Sequence, residues 1–129
     1  MKTILIDTDI VINFLRGKEK ARDFLLSVAE DCTLCCSVIT IAEIYAGMRE
    51  QEKEKTDDLL DSLNIIEVNR TIAEKAGRYR SEIRSQKLEL DDCIIAASAF
   101  HLSALLATSN EKHYPMTDIV KTILPTNNE

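Results

Sequence analysis

Thr3-Ile4-Leu5-Ile6-Asp7 is a short apolar run stopped by a carboxylate. An unbroken apolar run of this length suits a strand covered on both faces, as in a parallel sheet. Asp7 then falls where the carboxyl end of that strand meets the next connection. Thr8 to Leu15 reads as a short helix, and Gly17 breaks it. Working outward, helical and strand patterns alternate. A helix is expected over 18–30, where Ala21, Phe24, Leu25 and Val28 recur at helical spacing. A strand over 33–38 precedes a helix over 40–49 and a charged helix over 50–63. A third strand, 65–68, leads to a helix over 71–85 with Ile72, Ala76, Tyr79 and Ile83 on one face. Residues 87–90 connect to a helix over 92–102 that is apolar on nearly every side, hence buried or at an interface. A fourth strand over 104–108, a turn through Tyr114-Pro115 and an edge strand over 121–124 follow, and the tail from residue 126 frays. This alternation predicts an α/β fold, a three-layer sandwich in which helices flank a mostly parallel sheet of about five strands. In such sheets, sites gather beyond the carboxyl ends of the strands.

Composition narrows the function. The 129 residues fit one domain, 1–129. At 45% hydrophobic and 29% charged, the chain is too apolar to be disordered. The net charge of −6 counts against a simple nucleic-acid-binding module, which meets phosphates with Lys and Arg. It counts less against a metal nuclease, whose site is itself acidic, and it suits a basic protein partner. Three apolar residues before Asp7 are too few for a signal-peptide core, and the stretch from Cys93 to Phe100 is short of a membrane span. A cytoplasmic protein with no membrane contact is expected. Cys32, Cys35, Cys36 and Cys93 lack a second pair at structural-zinc spacing, so they read as small buried hydrophobes.

Three acids and an amide fall where the sheet would gather them. Asp7 follows the first strand, Glu43 sits in the first turn of the helix after the second, Asp92 opens the apolar helix, and Asn110 follows the fourth strand. Phosphodiester hydrolysis needs an activated water and a counter-charge for the leaving oxygen; one or two Mg²⁺ or Mn²⁺ ions supply both when hard oxygen ligands hold them. Each acid also has a plain structural reading. Asp7 could cap the next helix, Thr40 to Glu43 forms a capping box, and Asp91 and Asp92 would suit a helix N-terminus.

The chain resembles a known family. Ile4-Leu5-Ile6-Asp7-Thr8-Asp9 with Phe14-Leu15-Arg16-Gly17, then Thr40-Ile41-Ala42-Glu43-Ile44-Tyr45-Ala46-Gly47, then Asp92-Cys93-Ile94-Ile95-Ala96-Ala97, then Leu106-Ala107-Thr108-Ser109-Asn110 with Lys112-His113-Tyr114, are similar to the four motifs of VapC-type PIN domains, in family order over residues 4–114. The resemblance implies a metal-dependent endoribonuclease, the toxin of a VapBC-type toxin–antitoxin pair. Asp7, Glu43 and Asp92 would bind Mg²⁺ or Mn²⁺ and carry catalysis on an RNA substrate. A homodimer and a cognate antitoxin that inserts a segment into the active-site groove are implied as well. Asn110 departs from the family, many of whose members have a fourth acid there, which puts a second metal in doubt. Asp118 and Glu111 are the candidate substitutes for that acid. Thr8, Thr108 or Ser109 would support the site by binding water or phosphate. For RNA, Arg16 near the first acid is the favoured contact. Arg80, Arg84 and Lys87, spaced i, i+4, i+7, form a stripe, and Lys18, Lys20 and Arg22 a further group; most of these read as solvated surface. His101 and His113 read as packing or surface residues.

Two rivals remain at this point. Asp7-Thr8-Asp9-Ile10-Val11 matches the opening of haloacid-dehalogenase-like phosphatases, with Asp7 as nucleophile and Asp9 as acid/base. Alternatively, the chain is a catalytically inactive PIN-like binding module, with Asn110 the mark of decay.

Overall fold

The computed structural model describes residues 2–124; the frayed tail expected from residue 126 lies outside the described residues. Five strands, β1 (Lys2–Ile6), β2 (Cys32–Ser37), β3 (Asn64–Ile66), β4 (Leu105–Thr108) and β5 (Lys121–Ile123), form one sheet in the order β3-β2-β1-β4-β5. Every neighbouring pair is parallel. Six helices connect them: α1 (Thr8–Leu15), α2 (Glu19–Val28), α3 (Val38–Gly47), α4 (Lys53–Asp61), α5 (Arg70–Glu82) and α6 (Leu90–Leu102). β1 lies at the centre, so the opening apolar run is indeed covered on both sides.

Alternation along β1 divides the core between the two faces. Ile4 and Ile6 pack with Ile10 and Val11 of α1, Leu25 of α2, Ile44 of α3 and Leu60 of α4. Leu5 points the other way, against Ile72, Ala76 and Tyr79 of α5 and Cys93, Ala96 and Ala97 of α6. Each of the three is at most 2% exposed, and burying such a side chain contributes about 1.5–3 kcal/mol. This is the expected three-layer sandwich. The cysteines are free; Cys35, Cys36 and Cys93 are buried, and burial pushes the Cys36 thiol up to about 12. Gly17 takes φ 76° just beyond α1, a left-handed turn that its missing Cβ permits.

Some boundaries differ from the sequence reading. The helix expected from Thr40 begins at Val38, because Ser37 caps it by accepting the Ile39 N–H at 3.1 Å. Glu43 is therefore beyond the first turn and no partner in a capping box. The charged helix expected over 50–63 splits into a 3-10 turn at Glu50–Glu52 and α4. α5 ends at Glu82, and Arg80 Nε donates to the Leu88 carbonyl at 2.8 Å, tying the connector back to the helix. The Arg80, Arg84, Lys87 stripe consequently does not exist: Arg84 and Lys87 lie past the helix end.

Candidate active site

The carboxyl ends of β1 and β4 open onto a cluster of acids. Asp7 is the N-cap of α1, as its plain structural reading has it. It is 5% exposed. Its Oδ1 accepts the Thr8 N–H at 2.8 Å and the Tyr114 hydroxyl at 2.8 Å; its Oδ2 accepts the Thr108 hydroxyl at 2.7 Å. The same Tyr114 hydroxyl lies 3.4 Å from Asp92 Oδ1. One phenol oxygen thus touches two acids that are 85 positions apart in the chain and brought together by β1 and the start of α6. His113 Nδ1 lies 3.4 Å from Asp92 Oδ2.

Thr8 joins Glu43 to this pair. Its hydroxyl donates to Glu43 Oε1 at 2.6 Å and accepts from the Thr40 hydroxyl at 2.9 Å. Glu43 also faces the carboxyl of Asp91, which raises its proton affinity. Asp9, in the first turn of α1, reaches the end of β4: its Oδ2 accepts from Ser109 N at 3.1 Å, from the Ser109 hydroxyl and from Asn110 Nδ2 at 3.0 Å. Asn110 N in turn donates to Thr108 Oγ1 at 3.0 Å. Asp7, Thr8, Glu43, Asp92, Thr108 and Asn110 are all brought to this end of the sheet. Arg80 Nε donates to the Leu88 carbonyl, two residues ahead of α6, rather than to one of these acids, and Asp118 is held by Lys75 and Tyr79 instead, so it does not replace the missing fourth acid.

Crowding of like charge shows in the proton affinities. Burial, then the charge of Asp9, raises Asp7 to about 7 against the hydrogen bonds from Thr108, Tyr114 and Thr8. Burial and the Asp91 hydrogen bond raise Glu43 to about 7, opposed by Thr8. Asp92 is raised by burial and by the charge of Asp91. Acids shifted this way at one cleft make it a candidate functional site.

The sequence profile of the PIN domain matches residues 4–118. Ribonuclease VapC10 of Mycobacterium tuberculosis is 38% identical over 122 residues, covering 92% of this chain and 90% of that protein. The chain belongs to the PIN-domain family. Among solved structures, a toxin–antitoxin complex from Klebsiella pneumoniae is similar at 31% identity and TM-score 0.77, covering 91% of this chain and 95% of that one. VapBC2 from Rickettsia felis, bound to a DNA fragment from their promoter, shares the fold at TM-score 0.84 and 23% identity, covering 95% of this chain and 98% of that one. The PIN match leaves the phosphatase reading of Asp7-Thr8-Asp9 without support.

In this PIN domain the donors around Asp7 are carboxylates and hydroxyls, the hard oxygens that Mg²⁺ and Mn²⁺ prefer. Among the described residues, no three His, Cys, Asp or Glu side chains form a ready-made cation cage. The arrangement fits an ion held by one or two carboxylates that keeps several waters, the usual habit of Mg²⁺. Asp9 Oδ1, a buried oxygen without a hydrogen-bond partner, adds to the unmet demand for positive charge.

Sequence reasoning missed the weight of Tyr114, which is 0% exposed. A tyrosine fully buried in a turn needs a partner for its hydroxyl, and that requirement was the available signal. It also left open the part of Asp9. β1 stops at Ile6, so Asp9 lies on α1 rather than on a continuing strand and clamps the Ser109-Asn110 segment.

Proposed function

We propose that this chain is a metal-dependent endoribonuclease and the toxin of a VapBC-type pair, using Mg²⁺ or Mn²⁺. The observation that carries the reading is the Tyr114 hydroxyl, 2.8 Å from Asp7 and 3.4 Å from Asp92, with Glu43 tied to the same place through Thr8. Asp7 and Asp92 would hold the ion. When bound, it supplies an activated water and a counter-charge for the leaving oxygen. Tyr114 and Thr108 orient Asp7, leaving its carboxylate little freedom to lose on binding. Glu43, raised to about 7 by burial and Asp91, is suited to take a proton from the attacking water near neutral pH. Thr8 fixes where its carboxylate sits. In-line attack leaves a 5′-phosphate and a 3′-hydroxyl. Asn110, bound to Asp9, orients water rather than supplying charge.

The partners of this reading are RNA as substrate, a cognate antitoxin protein and a second copy of the chain, in the cytoplasm. Among the described residues, no helix is long and apolar enough to cross a membrane. Incubating the protein with RNA and Mn²⁺ tests the activity. Cleavage that stops with EDTA and with Asp7→Ala supports it, as does growth arrest on induced expression that Asp7→Ala relieves. Equal toxicity of the variant, or no cleavage with any divalent ion, returns the chain to an inactive binding module.

A further inference from the structure

We infer that the cavity between α1, α3 and the start of α4 seats backbone phosphates of the RNA next to the scissile bond, held by Arg16, Arg49 and Lys55. The inference rests on the ribonuclease reading and adds the path of the substrate. The cavity has a volume of about 580 Å³, within the range of about 300–1,000 Å³ usual for ligand pockets. Glu43 lines it and also belongs to the acid cluster. A strand lying in the cavity therefore runs directly into the reacting position.

Electrostatics gives the cavity its occupant. The protein carries a net charge of −6, and the acid cluster repels a polyanion wherever no metal intervenes. Substrate needs cations elsewhere along its backbone. Arg16, Arg49 and Lys55 supply three on one cavity, against Glu43 and Glu52. All three cations are exposed, yet two are steadied. Lys55 Nζ donates to the Leu15 carbonyl at 3.1 Å, bridging α4 to α1, and Arg49 Nε lies 3.5 Å from Glu52 Oε1. An ammonium carries three donors and a guanidinium five, so these bonds leave capacity for phosphate oxygens. Glu52 is held below its ordinary value, first by the Arg49 backbone N–H and then by the charges of Arg49 and Arg16. Ile12, Leu15 and Met48, each partly exposed, provide apolar surface for base faces.

The test uses the full chain in EDTA and a fluorescent single-stranded RNA of mixed sequence, read by anisotropy against salt. Arg49→Gln with Lys55→Gln is expected to weaken binding about tenfold at low salt. Its log–log salt slope should be shallower by roughly 0.7 for each cation removed. With Mn²⁺ added, KM rises by a similar factor while kcat holds. Arg70→Gln, on α5 and paired with Glu74, controls for net charge and should change neither quantity. Melting curves confirm that each variant is folded. A double variant with wild-type slope and KM overturns the anchor, and so does a slope that the Arg70 control changes equally. A cavity that serves a protein partner instead gives that same unchanged slope. If the wild type binds RNA in this variant-sensitive way but cleaves none, the anchor stands and the ribonuclease reading falls; if it cleaves and the variants bind normally, the reverse holds.

Discussion

Two aspartate–tyrosine pairs sit at different places in this molecule and behave oppositely. Asp118 accepts from the Tyr79 hydroxyl at 2.7 Å and from Lys75 Nζ at 2.8 Å. Slight burial pushes its carboxyl up, but Lys75 and Tyr79 outweigh that and hold it below its ordinary value. Asp7 accepts from the Tyr114 hydroxyl at 2.8 Å and has two further donors, yet it is raised to about 7. The hydrogen bond is the same kind in both. The difference is depth and neighbouring charge: Asp118 has an ammonium beside it, and Asp7 has Asp9. One pair is complete as a structural tie. The other lacks a positive charge, and a divalent cation is what would supply it.

The largest effect expected from breaking this contrast is on activity. Asp7→Asn should lower RNA cleavage by about three orders of magnitude, the loss expected when the group that places the reaction's counter-charge is removed. Asp118→Asn should leave kcat within about twofold while costing about 1 kcal/mol of stability, since its ion pair is partly exposed. Cleavage assays and melting curves on the two variants decide the matter.

Next in size is the pH dependence, which should have opposite signs in the two places. Asp7 is raised, so its contribution to stability is complete below its unfolded value near 3.8 and is lost as pH climbs to about 7. The metal-free protein should melt at lower temperature at pH 8 than at pH 5, saturating Mn²⁺ should restore the loss, and Asp7→Asn should flatten the profile. Asp118 is lowered, so its contribution is present at neutral pH and lost in acid; the cost of Asp118→Asn should shrink as pH falls below about 4.

Removing the phenols is a finer cut. Tyr114→Phe keeps the buried ring but deprives Asp7 of a donor, and should weaken Mn²⁺ binding, read by calorimetry, by about fivefold to tenfold, close to one hydrogen bond. Tyr79→Phe should leave Mn²⁺ binding unchanged. The smallest effect expected is that of Asn110→Asp. It sets a carboxylate against Asp9 in place of the 3.0 Å amide bond and should lower the metal-free melting temperature by a few degrees while tightening Mn²⁺ binding about twofold.

Much of this arrangement was legible before any coordinates. The apolar run ending at Asp7, the strand ending at Thr108 and the acid opening α6 are local patterns, and a parallel sheet brings their ends together by topology alone. Less legible was anything set by competition between neighbours. By capping at Ser37, the chain recruited into α3 both Val38, which read as the end of the strand, and Ile39, which fell between the two expected elements. The expected basic stripe is lost because α5 ends at Glu82, ahead of Arg84 and Lys87. The Glu43–Asp91 contact and the clamp of Asp9 on Asn110 join side chains from separate elements, and no periodicity encodes them.

The central claim is that Asp7 and Asp92 share one divalent ion. A crystal of the full chain grown with Mn²⁺ and read for anomalous scattering tests it most directly. The expected result is one peak about 2 Å from a carboxylate oxygen of each residue, lost in Asp92→Asn. A peak at some other group of oxygens, with both carboxylates still bonded only to Tyr114 and its neighbours while the protein cleaves RNA, would contradict it.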